Sequence, residues 1–387
     1  MRHVALLGVL TALVVGSQFT HASGASEPLW AYGFLTAPGP GDLAGRQNPP
    51  AGRVIRPDED RDNQLKPRHV PGSAASFSLV DVRDGQNVID WFPGDHPPMP
   101  DIVKHGPASL GRAKRACGSC HLSNGKGRPE NAQPAALPVA YFMRQIHDFR
   151  YGFRRSADWR KPNTNTMINL AMSMSDEEIR QAAQYFSSIS WTTPWVQVVE
   201  TEFVPKTRIA GNLFIATARE RTEPIAGRVI EVPQDEEQAE LNRNPRSGFV
   251  AYVPVGSLAR GEDLVTTGGA TFSGGQVVSR RTLACTSCHG RDLMGIDDVP
   301  PIAGRSPSYT ARQLYDFQQG TRNGAAAPLM KPVVAGLTEE DIVAITAYVA
   351  SRPPVRGFVP ATPTHQPPVI DTSARVPEPR PRLVSSR

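Results

Sequence analysis

The residues of this chain best suited to chemistry are its four cysteines, which occur in two copies of one short pattern. Both copies read C-x-x-C-H, at residues 117–121 and 285–289. This is the pattern to which a c-type haem is attached covalently. On one helical turn residues i and i+3 share a face, so both thiols can form thioethers with one porphyrin edge, and the following histidine can bind the iron. The predicted attachment residues are Cys117, Cys120, Cys285 and Cys288, and the predicted proximal ligands are His121 and His289.

Two other interpretations of a cysteine pair stay open at this point. A C-x-x-C pair can also form a redox-active disulfide or supply half of a zinc site. A four-cysteine zinc site would usually bring its pairs closer in sequence than positions 117 and 285. Because each pair is followed at once by a histidine and the chain has no other cysteine, we predict two covalently bound c-type haems.

The composition is that of a globular protein with long loops. The chain has 387 residues, 20% of them charged, with 37 prolines and 33 glycines, which suggests two or three domains. The formal net charge is +5, and the propionates of two haems would largely cancel it. Lysine and arginine are not concentrated in a stripe, so we do not expect a nucleic acid partner.

The N-terminus has the features of an export signal. A positively charged start is followed by a nearly unbroken apolar run from Val4 to Val15 and by small residues at 22–25. We therefore predict a secretory signal peptide over residues 1–25. An uncleaved membrane anchor is the alternative, although the run is shorter than the ~20 residues that span a bilayer. Because bacteria attach c-type haem on the oxidising side of the membrane, we expect a periplasmic protein.

The rest of the chain divides by composition. Residues 26–106 form a leader rich in proline, glycine and aspartate, for which we predict loops and short strands. Residues 191–270 contain extended apolar stretches and are predicted to form an inter-domain β segment. Residues 352–387 are rich in proline and lack apolar periodicity, so we predict a disordered tail. Two helical regions, residues 107–190 and 271–351, lie between these segments.

The two helical regions align with each other. A shift of 168 residues carries the first C-x-x-C-H onto the second and Tyr141 onto Tyr309. In each region a Tyr-x-x-Arg-Gln helix ends at a glycine, and a later helix opens with a capping box, at Ser175 and at Thr338. We infer that one haem unit was duplicated.

The duplication also selects a second axial ligand for each iron. A Met/His pair is one of the usual ligand sets of electron-transfer haems. In the second region Met330 is far enough from the C-x-x-C-H turn to reach the opposite face of the haem. The alignment matches Met330 to Met167 of the first region, rather than to Met172 or Met174. His147 is the competing ligand for the first haem, but its counterpart is a tyrosine. We predict Met167 and Met330 as the distal ligands.

Each region resembles a class I cytochrome c domain. The shared features are the C-x-x-C-H turn, the helix ending in glycine, the distal methionine and a final capped helix ending in an aromatic residue. The pair resembles the dihaem class I cytochromes c that carry electrons in the bacterial periplasm. The resemblance implies a mainly α fold with two such domains in tandem. It also implies a proline carbonyl bonded to each haem histidine, for which Pro300 or Pro301 fits in the second domain, whereas Pro129 and Pro134 match poorly in the first.

On this resemblance we expect an electron carrier rather than a catalyst, with two six-coordinate haems and no catalytic residues. The expected partners are a periplasmic dehydrogenase or respiratory donor and a terminal oxidase or reductase, with docking on a membrane complex as a further possibility. Two alternatives stay open. One is a dihaem redox enzyme, such as a peroxidase or a sulfur-compound oxidase, with an open iron position. The other is a cytochrome subunit of a dehydrogenase complex that docks through the leader and inter-domain segments.

Overall fold

The computed structural model describes residues 27–39, 42, 52–191, 195–217 and 222–355. The predicted signal peptide and all but the first residues of the predicted tail lie outside these ranges. In the part of the chain that is described, no helix is both long and apolar enough to cross a bilayer.

Helices supply more of the regular structure than strands, as predicted. The helices are α1 (Leu29–Tyr32), α2 (Arg61–Leu65), α3 (Leu79–Val82), α4 (Asp101–Lys104), α5 (Gly118–His121), α6 (Val139–Arg150), α7 (Pro162–Ser173), α8 (Asp176–Ser188), α9 (Ser257–Thr267), α10 (Thr286–His289), α11 (Pro307–Gln318), α12 (Ala327–Val334) and α13 (Glu339–Ser351). The strands are β1 (Val196–Glu200), β2 (Phe203–Pro205), β3 (Thr207–Ala210), β4 (Leu213–Ala216), β5 (Thr222–Pro224), β6 (Ile230–Pro233), β7 (Phe249–Val253), β8 (Thr271–Ser273) and β9 (Gln276–Ser279).

The first helical region packs α7 and α8 on α6. α6 ends just before Gly152, which has a φ of 76° that glycine adopts without strain. α8 opens with the predicted capping box: Ser175 Oγ accepts the Glu178 N–H, and the Glu178 carboxylate accepts the Ser175 N–H. The buried face of α8 consists of Ile179, Ala182, Ala183, Tyr185 and Phe186.

The second helical region repeats this arrangement and adds one helix. α13 opens with the predicted capping box between Thr338 and Asp341. It also crosses α9 at close range, because Gly261 of α9 faces the main chain of α13. A β-carbon at Gly261 would lie 2.1 Å from Ala344 O, a contact that only glycine avoids. α9 is therefore part of the second helical bundle.

The connection between the helical regions is extended at first and helical at its end. β1 pairs in parallel with β7, which pairs antiparallel with β6, and two further two-stranded sheets join β2 to β5 and β3 to β4. The prediction of extended structure was wrong for residues 257–267, where α9 forms. Leu264 and Val265 are buried on this helix, so its packing on α13 stabilises a helix in a segment whose apolar stretches elsewhere indicated extended chain.

The leader contains short helices where short strands were predicted. Among its described residues the β structure amounts to one bridge, between Arg68 and Phe77. Ser78 begins α3 through a capping box with Asp81, a local signal that the neighbouring apolar residues concealed. α1 packs on α11 and α4 on α8, so the leader covers both helical regions.

One large core joins the leader, both helical regions and the sheet. It includes Trp30 of α1, Phe186 of α8, Phe249 of β7 and Tyr348 of α13. Because close packing resists displacement, this shared core holds the two C-x-x-C-H turns at a set distance.

We expect Gly261→Ala to destabilise the protein. The added methyl group would overlap Ala344 O and Tyr348 Cβ, at 2.1 and 2.6 Å, so α9 and α13 would have to separate. Overpacking of this kind costs about 1–3 kcal/mol, which urea denaturation measures. The control is Thr266→Ala on the exposed side of the same helix, expected to change the free energy of unfolding by less than about 0.5 kcal/mol. Equal effects of the two substitutions would contradict a close crossing.

Candidate functional site

Each C-x-x-C-H motif forms one turn of helix. α5 and α10 follow Cys117 and Cys285, and the N–H groups of His121 and His289 return to the carbonyls of those cysteines at 3.0 and 2.9 Å. The four thiols are free rather than joined in disulfides. The turn therefore presents the two thiols and the histidine together, as the sequence predicted.

The surroundings of the thiols disfavour disulfide exchange. Burial raises the pKa of Cys117 to about 12 and that of Cys285 to about 11. Reactive cysteines instead have a lowered pKa, which supplies the thiolate. Over the described ranges, no group of three or more His, Cys, Asp or Glu side chains could hold a metal ion. Burial therefore disfavours thiol redox chemistry at Cys117 and Cys285.

Each predicted proximal histidine is anchored by a main-chain carbonyl 11 residues further along the chain. Nδ1 of His121 donates to Ala132 O, and Nδ1 of His289 donates to Pro300 O, both at 2.8 Å. This contact selects the tautomer whose Nε2 is free to bind a metal. Burial also lowers the pKa of both imidazoles, which keeps them neutral and able to act as ligands.

The second region has the expected proline carbonyl, and the first departs from the pattern, as the poor matches of Pro129 and Pro134 indicated. Pro300 supplies the carbonyl in the second region. In the first region neither Pro129 nor Pro134 does so, because Ala132 stands at the aligned position. The hydrogen bond needs a main-chain oxygen, which any residue provides.

A cavity opens beside the first haem turn between α6, α7 and α11; we call it the first cavity. It encloses about 1310 Å³ of empty space when the space open to solvent is included. The lining includes Cys117, Cys120, His121, Lys161, Met167 and Arg312. The second helical region therefore contributes to the wall of the first site.

The methionines near the first cavity differ in their surroundings. Met167 and Met174 line the cavity, whereas Met172 is 64% exposed. Met174 follows the last residue of α7, and its aligned counterpart is Leu337, which has no ligating atom. Met167 aligns with Met330, which lies on α12 and packs against the core. Exposure disfavours Met172, and alignment disfavours Met174. Together they favour Met167 as the distal ligand.

His147, the competing ligand, lies on α6 and is not part of the first cavity's lining. Its ring packs beside Tyr151, with 6.1 Å between ring centroids. This position favours a packing role.

A crossed pair of arginines joins the two helical regions. Arg154, which follows α6, donates to Tyr309 Oη at 3.0 Å and to Gln313 Oε1 at 2.6 Å, both on α11. Arg322, which follows α11, donates to the matching tyrosine and glutamine of α6, both at 2.8 Å. The two arginines also form a β bridge through their main chains. The contacts thus repeat about an approximate two-fold axis.

Four arginines buried between the regions are bonded to neutral groups. They are Arg154, Arg305, Arg312 and Arg322, each 5–7% exposed. Their hydrogen bonds end on main-chain, amide and hydroxyl oxygens. A buried cation also needs an anion to offset its desolvation, and the buried carboxylate of Asp316 acts electrostatically on Arg154 and Arg312. Arg154 and Arg312 line the first cavity, so the propionates of a haem would add negative charge beside them.

Glu231 on β6 is buried at the start of α11. Its Oε2 accepts the Ser306 hydroxyl at 2.7 Å and the Ser308 N–H at 3.3 Å. Burial raises the pKa of this carboxyl to about 7. Glu231 thereby connects the inter-domain sheet to the helix that forms one wall of the first cavity.

Comparisons with known proteins agree with this geometry. A family model described as Cytochrome c matches residues 273–353. Cytochrome c-554(548) of Halomonas halodenitrificans is 38% identical over 69 residues, 18% of this chain and 83% of the relative. The cytochrome subunit of sulfide dehydrogenase of Chlorobaculum tepidum is 35% identical over 99 residues, 24% of this chain and 84% of the relative. Cytochrome c4 of Pseudomonas aeruginosa is 24% identical over 249 residues, 63% of this chain and 88% of the relative.

The chain therefore belongs to the cytochrome c family. It is a dihaem cytochrome c that carries two covalently bound c-type haems and transfers electrons, as the sequence predicted.

Several residues of the site left no readable signal in the sequence. Lys161 and Glu231 are buried charged residues, which in a sequence look like surface residues because their partners lie far along the chain. Arg312 belongs to the repeated Tyr-x-x-Arg-Gln helix, but its burial could not be predicted from that pattern. The alignment of Arg154 with Arg322 was the available clue to the crossed contacts.

We expect Glu231→Gln to remove a pH-dependent loss of stability. The pKa of this carboxyl is about 7 in the folded protein against an ordinary 4.5, so the folded state holds a proton that the unfolded state releases first. The stabilisation is present below the ordinary pKa and is lost as the pH rises through about 7. This group alone should therefore cost the wild type up to about 3 kcal/mol between about pH 4 and pH 8.

Urea denaturation of wild type and variant at the two pH values measures the difference. The control is Glu236→Gln, at a carboxylate whose side chain is 48% exposed, and it should leave the pH dependence unchanged. An identical pH dependence in Glu231→Gln and wild type would contradict the raised pKa.

Proposed function

We propose that each haem is held by one C-x-x-C-H motif and one methionine. The first set is Cys117, Cys120, His121 and Met167, and the second is Cys285, Cys288, His289 and Met330. The observation that carries this proposal is the first cavity, whose lining brings together two thiols, the histidine and Met167. When bound, haem iron supplies reversible one-electron chemistry, and a methionine ligand raises its potential.

The protein's own part is to orient the ligands and limit the access of water. The carbonyls of Ala132 and Pro300 hold the two imidazoles. Phe186 lies edge-on to His121, with 6.2 Å between ring centroids, and stacks on Phe142. These contacts keep the histidine side of the first cavity apolar, which favours retention of a buried cofactor.

We propose that the chain is an exported protein built from a duplicated haem unit. The units are residues 107–190 and 271–351, and the packing of α9 on α13 supports extending the second back to Ser257. A signal peptide over residues 1–25 would direct the chain to the periplasm, where the oxidising compartment suits c-type haem attachment. The crossed contacts of Arg154 and Arg322 support the duplication.

As partners we propose a periplasmic dehydrogenase or respiratory donor and a terminal oxidase or reductase as acceptor. One relative is a cytochrome subunit of sulfide dehydrogenase, which supports a redox protein as donor. Contacts of this kind bury less than about 1,200 Å² in total and are weak. A permanent dehydrogenase complex is a variant of this proposal, in which the leader and inter-domain sheet would supply the docking surface.

A second candidate is a dihaem redox enzyme with an open iron position at the first haem. The observation behind it is the cluster of Met167, Met172 and Met174 in the first helical region, from which spacing alone does not select one ligand. A peroxidase or a sulfur-compound oxidase belongs to this class.

Met330→Ala should lower the reduction potential of one haem and remove its sulfur-to-iron absorption band, because it removes the thioether that raises the potential. Met167→Ala should do the same to the other haem. A spectroscopic redox titration measures both effects. Met172→Ala, an exposed methionine on the same helix as Met167, is the matched control and should leave both bands intact. An unchanged spectrum in Met330→Ala or Met167→Ala would refute that ligand.

Cyanide and carbon monoxide separate a carrier from an enzyme. With both irons six-coordinate, we expect neither ligand to bind the native protein rapidly, while Met167→Ala and Met330→Ala should each bind at one haem. Stopped-flow absorption measures the rates. Rapid capture of one haem in the native protein would favour the enzyme and count against the carrier.

A further inference from the structure

A short segment of the leader is buried between the two helical regions. We call residues 29–36 the strap. Its helix α1 places Trp30, Ala31 and Tyr32 at 5%, 1% and 0% exposure, and Trp30 Nε1 donates to Glu339 Oε1 at 2.9 Å. The strap lies outside the residues matched by the Cytochrome c family model, so its burial calls for a reason particular to this chain.

The strap contacts α11 on the side away from solvent. Tyr32 Oη donates to Asp316 Oδ1 at 2.7 Å, and the Tyr32 ring lies edge-on to Tyr315 with 6.3 Å between centroids. Ala31 O accepts a hydrogen bond from Arg312 Nη1. Arg312 and Asp316 both line the first cavity. The strap therefore supports this wall from behind.

The strap also holds the residue at which α7 begins. Lys161 is the N-cap of α7, the helix that carries Met167. Lys161 Nζ donates to Tyr32 O at 3.2 Å, and the residue is 2% exposed and lines the first cavity. A buried amino group is costly without a fixed acceptor, and the strap main chain supplies one.

We propose that the strap is a positioning element for the first haem, with Tyr32 as its central residue. This inference rests on the ligand set proposed above. Through Lys161, Tyr32 holds the start of α7 and with it Met167. Through Asp316, it holds the α11 wall of the first cavity.

The same contacts limit the water that can enter the first cavity. A drier surrounding disfavours the more highly charged ferric state and therefore raises the reduction potential. Because the hydrogen-bond partners Lys161 and Asp316 both line the first cavity, loss of the strap contacts should alter the first haem and leave the second as an internal reference.

The test is a spectroscopic redox titration of the haem-loaded protein. Met167→Ala first identifies the midpoint potential and the sulfur-to-iron band of the first haem. Tyr32→Ala should then lower that midpoint and weaken that band, while the other haem keeps both. Tyr32→Phe loses the hydroxyl that donates to Asp316 but retains the packed ring, so it should give a smaller shift. Leu35→Ala, at a strap residue that is 65% exposed, is the control and should give no shift.

Lys161→Leu tests the route through the lysine, because leucine can neither donate to Tyr32 O nor bind iron. It should lower the same midpoint. Combined with Tyr32→Ala, its effect should be less than additive, because loss of the buried Tyr32 ring should displace the main-chain oxygen to which Lys161 donates. If Tyr32→Ala prevents folding, Tyr32→Phe and Lys161→Leu carry the test.

Equal shifts at both haems, or a loss of thermal stability without a shift at either, would overturn the proposal, because the strap would then be a structural support alone. Failure of Met167→Ala to remove a band would overturn the ligand set and the inference with it. If Met167→Ala removes one band but the Tyr32 and Lys161 variants move neither midpoint, the ligand set stands and the strap proposal falls.

Discussion

A buried imidazole serves a haem iron well only when its second nitrogen has a partner inside the protein. In this cytochrome that partner is a main-chain carbonyl, of Ala132 for His121 and of Pro300 for His289. Each contact closes a loop between the C-x-x-C-H turn and the chain that leads into α6 or α11. These two helices carry the tyrosines and glutamines that hydrogen-bond across the two regions. The histidine contact therefore helps to place those residues.

Hydrogen bonds of buried arginines join the two helical regions. Arg154 and Arg322 each reach into the opposite region, and Arg305 donates to main-chain oxygens of the chain before α6. The buried carboxylate of Asp316 offsets part of this positive charge. Haem propionates would offset more of it.

The segments outside the family resemblance converge on the first cavity. The leader supplies Tyr32, which bonds to Lys161 and Asp316. The inter-domain sheet supplies Glu231, which is bonded at the start of α11. These segments therefore act as part of the first site's surroundings, and they make the surroundings of the two haems unlike.

The sequence by itself determined the features that depend on residues a few positions apart. Among these are the two C-x-x-C-H turns, the capping boxes at Ser175 and Thr338, and the end of α6 at Gly152. Alignment of the two regions also predicted Met167 and Met330 as the distal ligands, and these ligand roles remain predictions. Local spacing was sufficient because a helical turn and a cap are each completed within one or two turns of chain.

Only the tertiary structure decided which distant groups meet. Tyr32 and Asp316 are 284 positions apart, and Arg154 and Gln313 are 159 apart. The leader forms short helices where strands were predicted, and α9 forms where extended chain was predicted. In both places packing against other elements outweighed weak local preferences. The physical reason is the same throughout: burial and pairing of polar groups depend on contacts between distant segments, and such contacts leave no local pattern in a single sequence.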